Sequence, residues 1–432
     1  MGQRKASLFK LDDIPSLGAL TILVLSLLLL GADSPASSLF ISALTFLFLG
    51  ICMIARNEMS LRLWTVPFIS IWAALTATHY VTGRTADAEY EYIGLLTAGS
   101  FFWFGRYTAL SERRRRRVNR VIAVLALIYG VAVFIQHFAL PNTILGHQNL
   151  LHQGRLTGTF LSANTAATFL GLLFLFCLHR FLSRISDMNQ SAGSTTATAL
   201  LKAISSAPVT IAALIFLASG ILLTGSRAGL FAIGLCASLL LATFLIFRTR
   251  KSDAQDVAPT RALNIVTPVC LALFCGVTLW AISGSLIDER MQTLESDFSD
   301  RQIMNQAAWQ AGHLNPWIGH GLGSIRYAVS FVSTPQTNTA LTDQNAAHNI
   351  FLQWFVQAGW PGMIGLIALI LFTIFWTVSQ RHDLRLKISI ISAIIMVVIH
   401  GLFDFGLEIP SVLYLLAFFV GSASSKPLRN PS

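Results

Sequence analysis

Two arginines lie in sequence contexts that suit the binding of an anion. Arg227 lies in Leu223-Thr-Gly-Ser-Arg-Ala-Gly229, among small residues at the boundary of an apolar segment. Its guanidinium presents a planar fork of donors, which fits a phosphate or a carboxylate. An arginine at a helix end also reaches the membrane surface for solvation alone, so Arg227 by itself leaves both interpretations open.

Arg301 is the second such arginine. The segment Ser299-Asp-Arg-Gln302 has the pattern of a capping box and predicts a helix that begins there and ends before Pro316. Arg301 would then lie in the first turn, where a cation opposes the helix dipole. An arginine beside a helix N terminus is nonetheless a good anion site, so we expect a functional role for Arg301.

Histidine is the residue type best suited to accept a proton near neutral pH. His348 lies in Ala347-His-Asn-Ile-Phe-Leu-Gln353, where a loop enters an apolar segment. A lone histidine at such a place is more often structural, and spacing alone leaves these competitors: His147, His152, His313 and His320. The segment Gly319-His-Gly-Leu-Gly323 is glycine-rich like a phosphate loop, but we interpret it as a turn because no strand precedes it.

These residues belong to a chain that is too apolar for a water-soluble protein. Of its 432 residues, 54% are hydrophobic and 12% are charged, against about 25% charged in ordinary soluble domains. The composition excludes a soluble enzyme, a disordered chain and a secreted disulfide scaffold. The net charge is +10, and we interpret its densest run, Arg113–Arg117, as a cytoplasmic loop and not as a nucleic-acid patch.

About twelve apolar segments are long enough to be transmembrane helices. They are Pro15–Gly31, Ser37–Ala55, Thr65–Val81, Ile93–Leu110, Val118–Leu140, Phe160–Leu182, Pro208–Thr224, Gly229–Phe247, Leu263–Ser283, Ile350–Val378, Ile388–Leu402 and Ile409–Ser422. The sequence therefore predicts an all-α polytopic membrane protein with a single membrane domain over residues 1–432.

The distribution of Lys and Arg predicts the orientation of these segments. With both termini cytoplasmic, most basic residues lie on the cytoplasmic side. The arginines that remain outside are Arg84, Arg155, Arg227, Arg290, Arg301 and Arg326. The long extracytoplasmic loop, residues 284–348, is expected to fold as short helices over a cavity. Residues 183–207 and 248–260 are expected to be flexible cytoplasmic linkers.

Five segments together resemble the motifs of bacterial O-antigen ligases and the related polymerases and protein O-oligosaccharyltransferases. The first is His348-Asn349, nine residues, then Gly359-x-x-Gly362. The other four are Arg155-Leu-Thr-Gly-Thr-Phe160 with Asn164, Thr224-Gly-Ser-Arg-Ala-Gly229, Asp300-Arg301 with Asn315-Pro-Trp-Ile-Gly-His-Gly321, and His400-Gly-Leu-Phe-Asp404 with Pro410. The resemblance runs from about Arg155 to Pro410, and the N-terminal third matches only in hydropathy.

The resemblance implies a bacterial inner-membrane glycosyltransferase whose active site faces the periplasm. The donor would be a glycan on undecaprenyl diphosphate, and the acceptor a hydroxyl of lipid A–core. His348 would be the general base of an inverting displacement. Arg227 and Arg301, with Arg155 in reserve, would bind the diphosphate. Sugar-binding or orienting roles would fall to Asn349, Gln353, Asn164 and Asp404.

No cofactor, metal or nucleic acid is expected among the partners, which are the lipid-linked donor, the acceptor and membrane lipid. No Asp-x-Asp pair or histidine cluster lies outside the membrane, so we predict metal independence. Asp404 has a second interpretation as a helix-end carboxylate paired with an outside arginine.

Two alternatives to a ligase stay open. A polymerase that extends the lipid-linked glycan would use the same residues. Met363 and Ile364 stand where the ligase motif has a pair of threonines, which keeps that alternative open. A flippase or transporter for the lipid-linked glycan would also have about twelve spans, but the halves show no internal repeat and the notable polar residues gather on the outer side.

Overall fold

A computed structural model describes residues 11–55, 88–149, 152–190, 202–252, 287–342, 346–380 and 384–423. These residues are mainly helical, with one short β-hairpin of β1 (Thr143–Ile144) and β2 (His147–Gln148). The helices are α1 (Ile14–Leu28), α2 (Pro35–Ala55), α3 (Ala88–Ala109), α4 (Glu112–Ala139), α5 (Ala163–Gln190), α6 (Pro208–Leu223), α7 (Arg227–Ser252), α8 (Ile287–Leu314), α9 (Ile325–Ser330), α10 (Asn338–Leu341), α11 (Ile350–Ser379), α12 (Leu384–Gly401) and α13 (Pro410–Ser422).

Seven helical segments in the described ranges are long and apolar enough to cross a membrane, and α6 and α13 are shorter apolar helices. Helices suit this environment because every backbone polar group is satisfied within the segment. The prediction of an all-α multi-pass membrane protein is confirmed. Two predicted spans, Thr65–Val81 and Leu263–Ser283, lie outside the described residues, so the count of about twelve and the orientation stay predictions.

Small hydroxyl side chains join the N-terminal helices to α3. Thr97 Oγ1 donates to Ser42 Oγ of α2 at 2.8 Å, and Thr108 Oγ1 donates to Ser16 Oγ of α1 at 2.8 Å. Hydrogen bonds of this kind strengthen helix packing in an apolar solvent. On its other side α3 packs against α13, where the Phe101 ring stacks on Tyr414 with a centroid distance of 4.8 Å.

The predicted start of the loop helix at Ser299 is wrong. One continuous helix, α8, runs through that point from Ile287 to Leu314, so Arg301 lies in its interior and not in its first turn. The conflict with the helix dipole therefore disappears, and the role of Arg301 depends on its neighbours. The predicted end before Pro316 is confirmed. The expectation of only short helices in residues 284–348 is also wrong, since α8 spans 28 residues.

Three further boundaries differ from the sequence predictions. The run Arg113–Arg117 forms the first turns of α4 and is not a loop. Helix α5 continues to Gln190 and α7 to Ser252, so the parts of both predicted linkers that fall in these helices are ordered as helix. Long basic side chains can extend past a helix end to solvent, which lets the helices continue beyond the apolar segments.

Helix α11 is interrupted at Ala358 and Gly359. Gly359 has φ +64° and ψ −164°, a conformation outside the helical region. A Cβ at this position would lie 2.6 Å from the carbonyl oxygen of Pro316, so both the backbone angle and the close approach require glycine. Pro361 can follow because a proline is tolerated in the first turn of a new helical segment. The apolar run predicted as one span is therefore two helical segments.

Candidate active site

Several helix ends meet at one end of the bundle and bring the predicted site residues together. The backbone N–H of Leu156 donates to Leu223 O at 2.9 Å, which joins the segment before α5 to the end of α6. The side chain of Asn349, at the start of α11, donates from Nδ2 to Leu402 O at 3.3 Å, just after α12. The site is thus assembled from the ends of α5, α6, α7, α11 and α12, together with the interior of α8.

His348 lies immediately before α11 in a left-handed backbone conformation, with φ +50°. Its half-buried ring meets the Phe405 ring edge-on, with a centroid distance of 5.0 Å. The pKa of His348 is lowered to about 4, mainly by burial and to a smaller extent by the positive charges of Arg301 and His152. The imidazole is therefore neutral at physiological pH and able to accept a proton. A left-handed non-glycine residue at such a place is typical of a functional site.

Asn349 and Gln353 hold the backbone on either side of His348. Asn349 caps α11, because its Oδ1 accepts from the N–H groups of Phe351 at 2.9 Å and Leu352 at 3.2 Å. Gln353 Oε1 accepts from Ala347 N at 2.8 Å, and only 2% of Gln353 is exposed. The geometry of both side chains is that of positioning residues rather than of open sugar contacts.

Arg301 is a charged group with an electrostatic effect on several titratable residues of the site. Its charge lies within electrostatic range of His348, His400 and Asp404. Packing of α8 on α11 puts it there, since the Trp309 ring of α8 lies 5.5 Å from the Phe355 ring of α11. The sequence prediction of a functional Arg301 is thus compatible with its surroundings, although the argument from the helix start was wrong.

Asp404 is a buried carboxyl group between α12 and α13, with 1% exposure. Burial raises the pKa of Asp404 to about 6; the charge of Arg301 opposes that shift, as do the polar groups of Asn164, Phe405 and Gly406. It forms no direct ion pair with any arginine in the described part of the chain. The alternative of a helix-end carboxylate in a direct pair with an outside arginine is therefore not what the described residues show.

Arg155 and Asn164 are bound to each other and to the turn between α6 and α7. Arg155 Nε donates to Thr224 O at 2.7 Å, and its Nη2 donates to Asn164 Oδ1 at 3.0 Å. Two edges of this guanidinium are therefore used within the protein. The geometry favours a role for Arg155 in holding the turn that leads to Arg227.

Arg227 is the first residue of α7, and its side chain is exposed. It makes no hydrogen bond or ion pair with the residues that the structure describes. The helix that it begins spans 26 residues, so its N terminus favours a negative charge. Of the three predicted diphosphate ligands, Arg227 has the guanidinium most open to a ligand from solution.

The four competing histidines differ from His348 in their surroundings. His320 is buried, with Nε2 2.8 Å from Ala311 O and Nδ1 3.3 Å from Asn315 Nδ2, so both ring nitrogens are engaged. His313 is exposed and its Nδ1 lies 2.8 Å from Trp309 O. His147 is exposed in β2, and His152 is half-buried near enough to affect His348.

The interpretation of the Gly319–Gly323 segment as a turn agrees with its packing. The backbone N–H of His320 donates to Val356 O at 2.8 Å, and that of Gly321 donates to Gln357 O at 2.9 Å. These two carbonyl groups precede the break in α11. The amides that a phosphate loop would present to its ligand are therefore used to stabilise the interruption of α11.

Comparison with known proteins bears on the family that the chain resembles. Residues 212–367 match the family model described as O-Antigen ligase. The predicted resemblance to the O-antigen ligase superfamily is confirmed. No curated protein sequence matches the chain. The match supports a glycan-handling membrane protein of the O-antigen ligase or polymerase kind.

The region that matches the O-antigen ligase family contains only part of the site. Arg227, Arg301 and His348 lie inside residues 212–367. Arg155, Asn164 and Asp404 lie outside that range, and only the tertiary structure brings them to the matched residues. The cluster also includes three residues that were not predicted as site residues, which are Thr168, Ser226 and His400. The signal for Thr168 was its spacing of four residues from Asn164, which puts both on one helix face.

An apolar cavity of about 270 Å³ adjoins both segments of α11. Helices α3, α11, α12 and α13 contribute to its wall, and Trp354 and Gln357 line it from α11. Its polar residues include Glu91 and Glu408. Gln357 Nε2 donates to Glu91 Oε2 at 2.9 Å, which joins α11 to the start of α3.

Proposed function

We propose that this protein is an inverting, metal-independent glycosyltransferase that moves a glycan from undecaprenyl diphosphate to a hydroxyl of lipid A–core at the periplasmic face of the bacterial inner membrane. The observation that supports this proposal most directly is the neutral His348 within electrostatic range of Arg301. A proton acceptor and a cation at one site are what an acceptor hydroxyl and an anionic leaving group require.

The reaction is a single in-line displacement. The acceptor oxygen forms a bond to the anomeric carbon of the donor as the bond from that carbon to the diphosphate oxygen breaks. The proton of the acceptor hydroxyl passes to His348, and the electron pair of the broken bond remains on the diphosphate. One displacement inverts the anomeric centre.

Arg301 and Arg227 stabilise the charge that develops on the leaving diphosphate. The same charge links donor binding to the base. In the free protein Arg301 contributes to the low pKa of His348. A bound diphosphate offsets that positive charge, so His348 becomes a stronger base when the donor is present.

The apolar cavity is the place we assign to an isoprenoid chain of the donor. Its walls are formed mainly by Leu, Ile, Phe and Ala side chains, and no arginine is among its described lining residues. The arginines of the site are therefore assigned to the diphosphate, and the cavity only to the hydrocarbon.

Ligase and polymerase differ in the acceptor, and one observation favours the polymerase as a second candidate. Met363 and Ile364 replace the threonines of the ligase motif and follow Gly362 in the second segment of α11. A polymerase would transfer the glycan to a second lipid-linked glycan, with His348, Arg227 and Arg301 in the same roles.

The test is transfer by purified protein in the presence of EDTA. The donor is an undecaprenyl-diphosphate glycan, and lipid A–core and a second lipid-linked glycan are offered as differently labelled acceptors. We expect labelled lipid A–core from wild type and its loss in His348→Ala and Arg227→Ala. Matched controls are His147→Ala, an exposed histidine, and Arg116→Ala, whose side chain is 73% exposed.

Each outcome of this test decides between the candidates. Longer lipid-linked chains without labelled lipid A–core would establish the polymerase. Loss of activity with EDTA would overturn metal independence. Full activity of His348→Ala would overturn the assigned base. No product from folded protein with either acceptor would overturn the glycosyltransferase and favour a transporter of the lipid-linked glycan.

A further inference from the structure

His400 joins three helices by hydrogen bonds in the interior of the bundle. It lies at the end of α12 and is 1% exposed. Its Nδ1 is 2.7 Å from Thr168 Oγ1 of α5, and its Nε2 is 3.2 Å from Ser226 Oγ, immediately before α7. A buried imidazole with both nitrogens engaged fixes the relative position of the elements it joins.

One arrangement of hydrogens satisfies this network. Thr168 O–H donates to Asn164 O at 3.3 Å, which leaves the Thr168 oxygen to accept from His400 Nδ1–H. His400 Nε2 then accepts from Ser226 O–H, and Ser226 Oγ accepts from Gly229 N at 3.3 Å. The reverse arrangement leaves the Ser226 hydroxyl hydrogen without an acceptor among the described residues. The network therefore requires the neutral imidazole with its proton on Nδ1.

The network holds the first turn of α7. Ser226 accepts the N–H of Gly229, so it is the residue that connects His400 to the start of that helix. A Cβ on Gly229 would lie 3.2 Å from His400 Cε1, so the helix backbone packs directly against the imidazole. The residue between Ser226 and Ala228 is Arg227, whose backbone position is thereby fixed.

We propose that His400 is a positioning residue that, through Ser226, holds the first turn of α7 and with it Arg227 for binding of the donor diphosphate. The inference rests on the proposed function for the identity of the ligand. His400 does not touch substrate in this proposal. Its effect on the reaction passes through Ser226 to the backbone of Arg227.

Two amide substitutions separate the two hydrogen bonds of His400. In His400→Gln the side-chain oxygen can take the place of Nε2 and accept from Ser226 O–H. In His400→Asn the amide nitrogen can take the place of Nδ1 and donate to Thr168, but the contact with Ser226 is lost. If the contact with Ser226 positions Arg227, the glutamine variant retains donor binding and the asparagine variant does not.

The experiment measures two quantities on the purified full-length protein. The first is the Kd of undecaprenyl diphosphate itself, without a glycan, in detergent micelles. The second is the division of the kinetic effect between the KM for the glycan donor and kcat. We expect His400→Asn and Ser226→Ala each to raise Kd and KM about tenfold with a smaller change in kcat. We expect His400→Gln to stay within about threefold of wild type.

Coupling between the two residues supplies an independent check. Ser226→Ala combined with His400→Asn should be no worse than either single variant, because both remove the same contact. Thr168→Val removes the hydrogen bonds of Thr168 to His400 Nδ1 and to Asn164 O but leaves the contact between His400 and Ser226, so it should change Kd less than Ser226→Ala. Thermal unfolding of every variant identifies those that fail to fold, and the Gln–Asn comparison is made only between variants with similar unfolding temperatures.

The results separate failure of this inference from failure of the proposed function. If wild type binds undecaprenyl diphosphate in an Arg227-dependent way but transfers no glycan, the proposed function is wrong and the positioning role is still tested by Kd. If wild type transfers glycan while folded His400→Asn binds undecaprenyl diphosphate as tightly as wild type, the positioning role is overturned. Equal Kd values for the glutamine and asparagine variants would also overturn it.

Discussion

Two groups of arginines lie at opposite ends of α4 and have different neighbours. At its N terminus, Arg115 and Arg116 bind Glu112 at 2.6 and 2.9 Å, and Arg117 binds Asp13 at 2.6 Å. Beyond its C terminus the chain leads to Arg155, near which Arg227 and Arg301 lie on other elements. Arg227 and Arg301 form no ion pair with a carboxylate in the described ranges.

The difference shows that the neighbours of an arginine, and not the number of charges, indicate its role. We call the first group topological, because such arginines only mark the orientation of the chain in the membrane, and the second group functional. The arginines of the first group are each paired with a nearby carboxylate and are partly exposed, as expected for side chains that only mark one side of a membrane. In the second group, Arg301 acts on a buried histidine and a buried carboxyl group, where charges interact more strongly than in water. The following predictions test this distinction from the largest effect to the smallest.

Loss of Arg301 should have the largest effect. Arg301→Ala removes a cation that acts on His348 and, in the proposed reaction, on the leaving diphosphate, and we expect transfer to fall about 10²–10³-fold. The measurement is the initial rate with a fixed lipid-linked donor. A decrease below about tenfold would show that Arg301 belongs with the topological group. Arg301→Lys should recover only part of the rate, because an ammonium lacks the planar fork.

Gly359→Ala should have the next largest effect. A Cβ there would be strained at φ +64° and would contact the Pro316 carbonyl at 2.6 Å. We expect the free energy of unfolding to fall by about 1–3 kcal/mol. Gly365→Ala is the matched control, because a Cβ at Gly365 meets no atom within 4 Å. Equal unfolding temperatures for the two variants would contradict the structural role of the break.

The pH dependence should show the link between Arg301 and His348. The base must be neutral to accept a proton, so kcat/KM falls as the pH drops towards the pKa of His348, about 4. Arg301 and His152 both lower that pKa, and Asp404, whose pKa is about 6, titrates nearby. Arg301→Gln should therefore move the acidic limb of kcat/KM to higher pH. In wild type the acidic limb of kcat should lie at higher pH than that of kcat/KM, because the bound diphosphate offsets the positive charge of Arg301.

An Arg301→Gln limb at unchanged or lower pH would contradict this link. Arg116→Gln serves as the control for a change of net charge alone, and its limb should coincide with that of wild type. The protonation of His348 can be followed through the rate of the same transfer assay in buffers that cover a range of pH.

The smallest effect is expected from the first group of arginines. Arg115→Gln with Arg116→Gln removes two surface ion pairs with Glu112, whose side chain is 48% exposed. Such pairs contribute about 0–1 kcal/mol each, so the transfer rate should change less than about twofold. A large loss of transfer in folded protein would show that this end of the molecule takes part in the reaction.

Much of the fold was predictable because apolar length and helix formation depend on local sequence. The described spans appear where apolar segments were found, with ends that moved by several residues at Glu112 and Gln190. The error at Ser299 has a different cause. A capping pattern only permits a helix to begin, and α8 continues through it. The break at Gly359 could not be read from apolar length, because it depends on contacts with Pro316.

The types of the site residues were predictable from the sequence, but their hydrogen-bond partners were not. Arg155 was expected to bind diphosphate, yet its guanidinium donates to Thr224 O and Asn164 Oδ1. Gln353 was expected near the sugar, yet it accepts from Ala347 N. His400 was named only as part of a motif, and in the structure its two ring nitrogens join α5 to the start of α7. Roles depend on partners that are distant in sequence.

The sequence by itself determined that this protein is a helical multi-pass membrane protein with few charges and a set of motifs similar to those of O-antigen ligases. Those properties follow from composition, apolar length and short-range spacing. Only the tertiary structure decided which arginine acts on His348 and which arginine is held by backbone and amide groups. It also decided how strongly burial keeps His348 neutral. The physical reason is that desolvation and electrostatic interaction depend on distances between atoms of different helices, which residue spacing along one chain does not determine.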